Sequence, residues 1–265
     1  ATNNGGTSYG SQQSFTTLGL NAPVAAAATD NTTSSFTANW SAVTGADSYR
    51  LDVSTTSNFV DVNASVFVGW SFPSSGATVT PDVANANNTT KTITTNGGSI
   101  TDASGLTTRA PSANAWQTGS GTKYWQIDFD ATGLYDLSIS SRQLSSNTGP
   151  RDFKLQYRVG AGAFIDVPSG SITVLNDSWV SGTVTNLALP TACDNQAVLS
   201  LRWIMTSNTS VANATVSAGG TSRIDNIQVK GKAPFFVAEY DNLTVNGLSQ
   251  SVTGLSAGTT YYYRV

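Results

Sequence analysis

The sequence predicts an all-β protein of the sandwich type, and three observations carry that prediction. Apolar residues recur with period two almost throughout, in short runs separated by Gly, Asn, Asp, Ser or Pro. No stretch has the spacing of an amphipathic helix of useful length. Charged residues are only 11% of the 265, against about 25% in ordinary globular domains. Thr, Ser, Asn, Gly and Ala take their place, the residues that secreted β-proteins carry on exposed strand faces.

The strands follow in chain order. Residues 1–17 open with a Gly-rich turn, Asn3-Asn-Gly-Gly6, leading into a lone strand. Residues 35–40 alternate around Phe36, Ala38 and Trp40, and 49–54 around Tyr49, Leu51 and Val53. A short strand is expected at 91–94. The strongest alternation, Trp125, Ile127 and Phe129, places one at 124–129, followed by a Thr132-Gly133 turn and a strand at 135–140. Residues 153–159 lead into a tight Gly160-Ala-Gly162 hairpin turn. Further strands are expected at 170–174, 180–187, 197–205 and 222–229, then at 242–245, 249–253 and 260–265.

Composition excludes several function classes. A net charge of −3 and a pI near 4.7 leave no electrostatic footprint for nucleic acid. There is no histidine, so Ser–His and Cys–His nucleophiles and imidazole metal sites are out. Asp128 and Asp130 share one strand face, and two carboxylates on a single strand do not straddle a glycosidic bond. The expectation is a non-enzyme. No apolar run reaches the roughly 18 residues that cross a membrane as a helix. Cys193 is alone, either a buried small hydrophobe or a thiol linking two chains. Secretion without disulfides points to a bacterial, extracellular or cell-surface protein.

Two resemblances divide the chain. The segment Ser35-Phe-Thr-Ala-Asn-Trp40 through Tyr49-Arg-Leu-Asp-Val-Ser54, after Pro23, resembles the first strands of a fibronectin type III domain, with Trp40 as its core tryptophan. The segment Leu255-Ser-Ala-Gly258-Thr-Thr-Tyr261-Tyr-Tyr263-Arg-Val265 resembles that family's strand F, with Tyr261 as the tyrosine of the corner whose hydroxyl ties back to nearby backbone. The resemblance implies a fibronectin type III domain over 21–60 and 235–265, split by an insert at 61–234. Three stretches of the insert, Val66-Phe-Val-Gly-Trp70, Tyr124-Trp-Gln-Ile-Asp-Phe129 and Ser222-Arg-Ile-Asp225-Asn-Ile, resemble bacterial jelly-roll sandwiches found among carbohydrate-binding modules. Insertion into an exposed loop is tolerated when the ends of the guest are close.

This organisation sets the functional expectations. Residues 1–20, with Tyr9, Phe15 and Leu18, read as a strand G that completes the sandwich of a neighbouring unit. Tyr261, Tyr263 and Val265 would form the edge it docks on, because strand addition satisfies a whole row of backbone groups. Head-to-tail contact of this kind does not close and builds a filament of copies of the chain. The first expectation is therefore the repeat unit of an extracellular filament or long surface adhesin. The alternative is a carbohydrate-binding accessory module of a secreted polysaccharide-degrading enzyme, with Trp116 and Trp179 as exposed platforms for a sugar ring of a surface glycan. By the jelly-roll resemblance Asp225 stands where related sandwiches often carry a structural calcium ligand, with Asp128, Asp130 and Asp82 able to complete an oxygen shell; the other reading of these aspartates is that they bond turn backbone. No other cofactor is expected.

Overall fold

The computed structural model describes residues 2–3, 5–7, 11, 19–175 and 179–265. Tyr9, Phe15 and Leu18, the expected assembly strand, lie outside these residues. The chain divides into two compact units, a smaller one of Ala1–Phe59 with Phe236–Val265 and a larger one of Val60–Phe235. Both are all-β with antiparallel pairing.

The strands are β1 (Thr2–Asn3), β2 (Gly6–Thr7), β3 (Phe36–Asn39), β4 (Tyr49–Ser54), β5 (Ser65–Trp70), β6 (Val83–Ala84) and β7 (Ile93–Thr95). Then come β8 (Thr101–Ser104), β9 (Arg109–Ala113), β10 (Tyr124–Phe129), β11 (Tyr135–Ser145), β12 (Asp152–Val159) and β13 (Ile165–Thr173). The chain continues with β14 (Gly182–Ala188), a 3-10 turn at Thr191–Cys193, β15 (Leu199–Met205) and β16 (Ser222–Lys232). It ends with β17 (Leu243–Val245), β18 (Ser249–Val252) and β19 (Tyr262–Arg264).

In the smaller unit β4 is flanked by β17 and β19, and β3 pairs with β18. Bridges Ala25↔Trp40 and Thr29↔Thr37 lay a further segment along β3. The alternation expected at 35–40 and 49–54 places Phe36, Ala38, Trp40, Leu51 and Val53 in the core with Tyr240, Val245 and Val252. Tyrosine hydroxyls tie this small core to backbone. Tyr49 Oη accepts from Val43 N–H at 3.0 Å, Tyr240 Oη from Thr253 N–H at 2.8 Å and Tyr261 Oη from Ser256 N–H at 2.9 Å. Each bond satisfies a loop donor that would otherwise have to remain in water.

The larger unit is a β-sandwich. One sheet runs β13-β12-β15-β10-β7, the other β14-β11-β16-β5-β6, with the β8–β9 hairpin attached to β16 through β9. Between them lies a core that includes Trp70, Trp116, Trp125, Trp203, Phe129 and Phe153. The indole N–H of Trp125 donates to Ser222 Oγ and that of Trp203 to Ser141 Oγ, both at 3.1 Å, so neither aromatic buries an idle donor. β5 and β16 lie side by side with Ile227 opposite Trp70, and the bridge Val60↔Pro234 brings the two ends of this unit together. Gly133, at φ 72°, makes the expected turn between β10 and β11 in the left-handed region.

β8 and β9 were not expected, because Thr101–Ser104 and the Pro-containing Arg109–Ala113 lack period-two apolar alternation. They pair because Arg109 and Asp102 form an ion pair across the hairpin and because β9 continues onto Ser222 and Arg223 of β16.

Cys193 is fully buried, which settles the two uses open to it in favour of packing. Burial, reinforced by the neighbouring Asp194 charge, pushes its thiol up to about 12. Only the thiolate is nucleophilic, so a maleimide at pH 7–8 is expected to leave Cys193 unmodified in the native protein and to label it fully in denaturant. Stoichiometric labelling of folded protein within minutes would contradict this burial.

Candidate functional site

The site follows from strand alternation. On β10, Trp125, Ile127 and Phe129 turn into the core, which turns Tyr124, Gln126 and Asp128 outward. On β12 the outward set is Lys154, Gln156 and Arg158, and on β15 it is Ser200, Arg202 and Ile204. Register aligns these positions. Gln156 is opposite Asp166 on one side and Arg202 on the other, Arg202 is opposite Gln126, and Gln126 is opposite Thr94. A continuous polar row, Asp166–Gln156–Arg202–Gln126–Thr94, therefore crosses all five strands.

The row is organised around Arg202. Its Nε–H donates to Gln156 Oε1 at 2.8 Å, and Gln156 Nε2 donates to Asp166 Oδ1 at 2.5 Å. Lys154 Nζ reaches Asp166 Oδ2 at 2.8 Å. The hydrogen bond from Lys154, and then that from Gln156, holds the Asp166 carboxyl below its usual range. The Arg202 guanidinium lies 3.7 Å from the Phe164 ring centroid and 5.4 Å from that of Tyr124. Arg158 also lies over Phe164, at 4.6 Å, and donates to Ser200 Oγ at 3.1 Å. Burial lowers the pKa of Arg202. A pocket of about 300 Å³ opens on this face, lined by Ser120, Lys154, Gln156, Arg202, Ile204 and Thr206 among others. The Phe164 and Tyr124 rings thus flank the Arg202 guanidinium, outside the residues that line the pocket.

The residues expected from sequence are placed differently. Trp116 is not a surface platform. It is fully buried, donates from Nε1 to Ala113 O at 2.8 Å, and lies 5.8 Å from Trp125 and 5.9 Å from Phe153, centroid to centroid. The segment after β9 looks like a loop in sequence, but it folds beneath the sheet because the indole has its largest apolar contact there. Trp179 is half-buried, and its carbonyl accepts from Arg142 Nη1 and Thr183 Oγ1, both at 3.2 Å.

Asp225, Asp128 and Asp130, expected around calcium, do not converge. Asp128 faces outward on β10 and takes Gln126 Nε2 at 3.1 Å. Asp130 Oδ1 caps Thr132 N–H at 2.7 Å. Asp225 is buried on β16 in the other sheet and accepts from the Leu106 and Asn226 N–H groups, each at 2.7 Å. Burial pushes the Asp225 carboxyl up, partly offset by those two bonds. Among the described residues no three acidic, histidine or cysteine side chains cluster as a metal shell.

In the smaller unit, β19 pairs only with β4 among the described residues. Beside it a cleft of about 320 Å³ is lined by Phe36, Leu255, Tyr261 and Tyr263 together with Ala28 and Thr32. Tyr261, Tyr263 and Val265 are half-buried against the small core.

The row across the five-stranded sheet was not foreseen from sequence. Its one local signal is the choice of Gln, Arg and Lys at outward positions of β10, β12 and β15 in a chain with only 11% charged residues. The alignment itself depends on inter-strand register.

No protein-family model and no curated protein matches the chain. Among solved structures it is similar to the carbohydrate-binding module CtCBM11, with 16% identity, a TM-score of 0.31, and coverage of 54% of this chain and 88% of the module. It is also similar to an exo-β-agarase, with 10% identity, a TM-score of 0.34, and coverage of 60% of this chain and 25% of the agarase. Likeness at this level assigns neither family nor ligand. No helix among the described residues is long and apolar enough to cross a membrane.

Proposed function

We propose that the chain is a non-catalytic, glycan-binding module of an extracellular or cell-surface protein, and that it binds on the outer face of the five-stranded sheet. The carrying observation is the row Asp166–Gln156–Arg202–Gln126–Thr94. A pyranose offers adjacent hydroxyls that suit side-by-side planar amide and guanidinium groups, and an apolar ring face that suits an aromatic edge such as Tyr124. The site is half-buried and held by its own hydrogen bonds, so little side-chain freedom is lost on binding. Low charge content and the absence of histidine support an extracellular, non-enzymatic setting. Trp179 is a secondary candidate for ring contact.

The test is affinity electrophoresis of the whole chain through a panel of soluble polysaccharides. At least one is expected to retard it, and Tyr124→Ala combined with Gln126→Ala is expected to weaken that retardation about tenfold with an unchanged unfolding midpoint. Indifference to every glycan overturns the reading.

One observation favours a second reading, a unit of a filament or long adhesin. The edge of β19 that faces away from β4, with its adjoining cleft, suits an added strand, whose backbone would pair along Tyr262–Arg264 while its side chains covered Phe36, Leu255 and Tyr263. The β17-β4-β19 and β18-β3 sheets and the Tyr261–Ser256 tie support a fibronectin type III-like sandwich in the smaller unit, and a jelly-roll-like sandwich is our reading of the larger unit. In the filament reading, deletion of residues 1–20 abolishes end-to-end self-association in light scattering. Self-association that persists after the deletion rules that strand out.

A further inference from the structure

We infer that the ligand of this face is an acidic saccharide, a uronate-containing glycan whose carboxylate docks on the outer nitrogens of Arg202. The inference rests on the glycan-binding reading and narrows it to a chemical class.

Around the pocket, donors outnumber the acceptors left open. The acceptor of the row that lines the pocket is engaged: Gln156 Oε1 takes Arg202 Nε–H, and the neighbouring Asp166 oxygens take Gln156 and Lys154, while Gln126, whose Oε1 keeps its acceptor capacity, does not line the pocket. Asp128 is likewise engaged by Gln126 Nε2. What remains directed at the pocket is a surplus of donors. Arg202 has no carboxylate partner among the described residues, so both of its Nη groups remain free for a ligand. Lys154 retains N–H groups, and the Ser120 and Thr206 hydroxyls line the same pocket. A neutral sugar hydroxyl brings a donor along with its acceptor lone pairs, and no charge. A carboxylate presents only acceptors, in a plane that matches a guanidinium fork.

Charge and pre-organisation point the same way. The face carries Lys154, Arg158 and Arg202 against Asp128, Asp152 and Asp166; Asp152 is tied to Arg151 and Asp166 to Lys154, so Arg158 and Arg202 are the cations without an ion-pair partner among the described residues. Stacking on Phe164 and the bond to Gln156 hold the Arg202 plane before any ligand arrives. A free side chain would have to lose that freedom on binding.

The experiment is isothermal titration of the whole chain with an oligouronate, with the same oligomer after carboxyl reduction, and with a sulfated neutral oligomer. The oligouronate is expected to bind at least about tenfold more tightly than its reduced form, since charge-assisted bidentate pairs are the strong ones. Binding should weaken as salt rises through the range where the screening length falls below about 10 Å. Arg202→Lys keeps the charge and loses the fork, and is expected to remove most of that preference. Lys154→Met, which leaves the Arg202 stack in place, is expected to lower it by a smaller factor, so a misfolded Arg202 variant does not decide the outcome alone. Equal affinity for the oligouronate and its reduced form overturns the inference while leaving glycan binding standing, and equal affinity for the sulfated oligomer overturns the carboxylate assignment. Failure to bind any of the three, alongside a silent polysaccharide panel, overturns both.

Discussion

Trp116→Ala is expected to destabilise the larger unit by about 3–5 kcal/mol, the range for removing a fully buried tryptophan. The indole has no exposed surface, faces Trp125 and Phe153, and satisfies its N–H on Ala113 O. Truncation leaves a cavity between two aromatic rings that β10 and β12 hold apart, so little collapse is available to refill it. The loss should appear in calorimetry and in faster amide exchange along β10, β12 and β15. It should be absent from β3, β4 and β18, whose core contains none of these residues. A variant that kept its unfolding midpoint but lost glycan binding would restore Trp116 as a surface platform.

Gln143→Met is expected to act in the opposite direction, raising the stability of the larger unit by about 1–2 kcal/mol. Gln143 points inward from β11, is fully buried, and neither its Nε2 nor its Oε1 has a hydrogen-bond partner among the described residues. Both ends of the amide therefore leave bulk water without a side-chain or backbone partner among those residues. Methionine has nearly the same length and volume and removes both polar atoms, so packing is preserved while the desolvation cost disappears. The check is chemical denaturation of the two proteins under one buffer. A lower midpoint for the variant would mean that the amide has partners outweighing its desolvation. Ser145, two residues along and likewise without a side-chain partner among the described residues, is the natural second position.

Legibility from sequence followed the locality of each signal. The strands at 49–54 and 124–129 were readable to the residue because alternation is written within the segment itself. β13 begins at Ile165, ahead of the expected 170, because Ile165 and Asp166 are held by pairing with Tyr157 and Gln156, while the short Ile165-Asp-Val167 alternation is cut off by Pro168. β8 and β9 were invisible for the same reason. At the level of sites, Tyr261 could be read together with its backbone partner, since the hydroxyl reaches only five residues back to Ser256. Trp116 could not, since an indole in a polar segment looks the same whether the segment faces water or folds under a sheet.

By itself the sequence determined the all-β class, most of the strand positions, the faces they bury and the exclusion of histidine chemistry. Each of these depends on composition or on a period of two along the chain. Only the tertiary structure decided which outward residues become neighbours. It aligned Asp166, Gln156, Arg202, Gln126 and Thr94 across five strands and placed Asp225 in a different sheet from Asp128, with Asp130 in the turn after β10. The physical reason is register. A shift of one residue in any strand would turn its polar members into the core, and that alignment is set by pairing and packing between segments far apart in the chain.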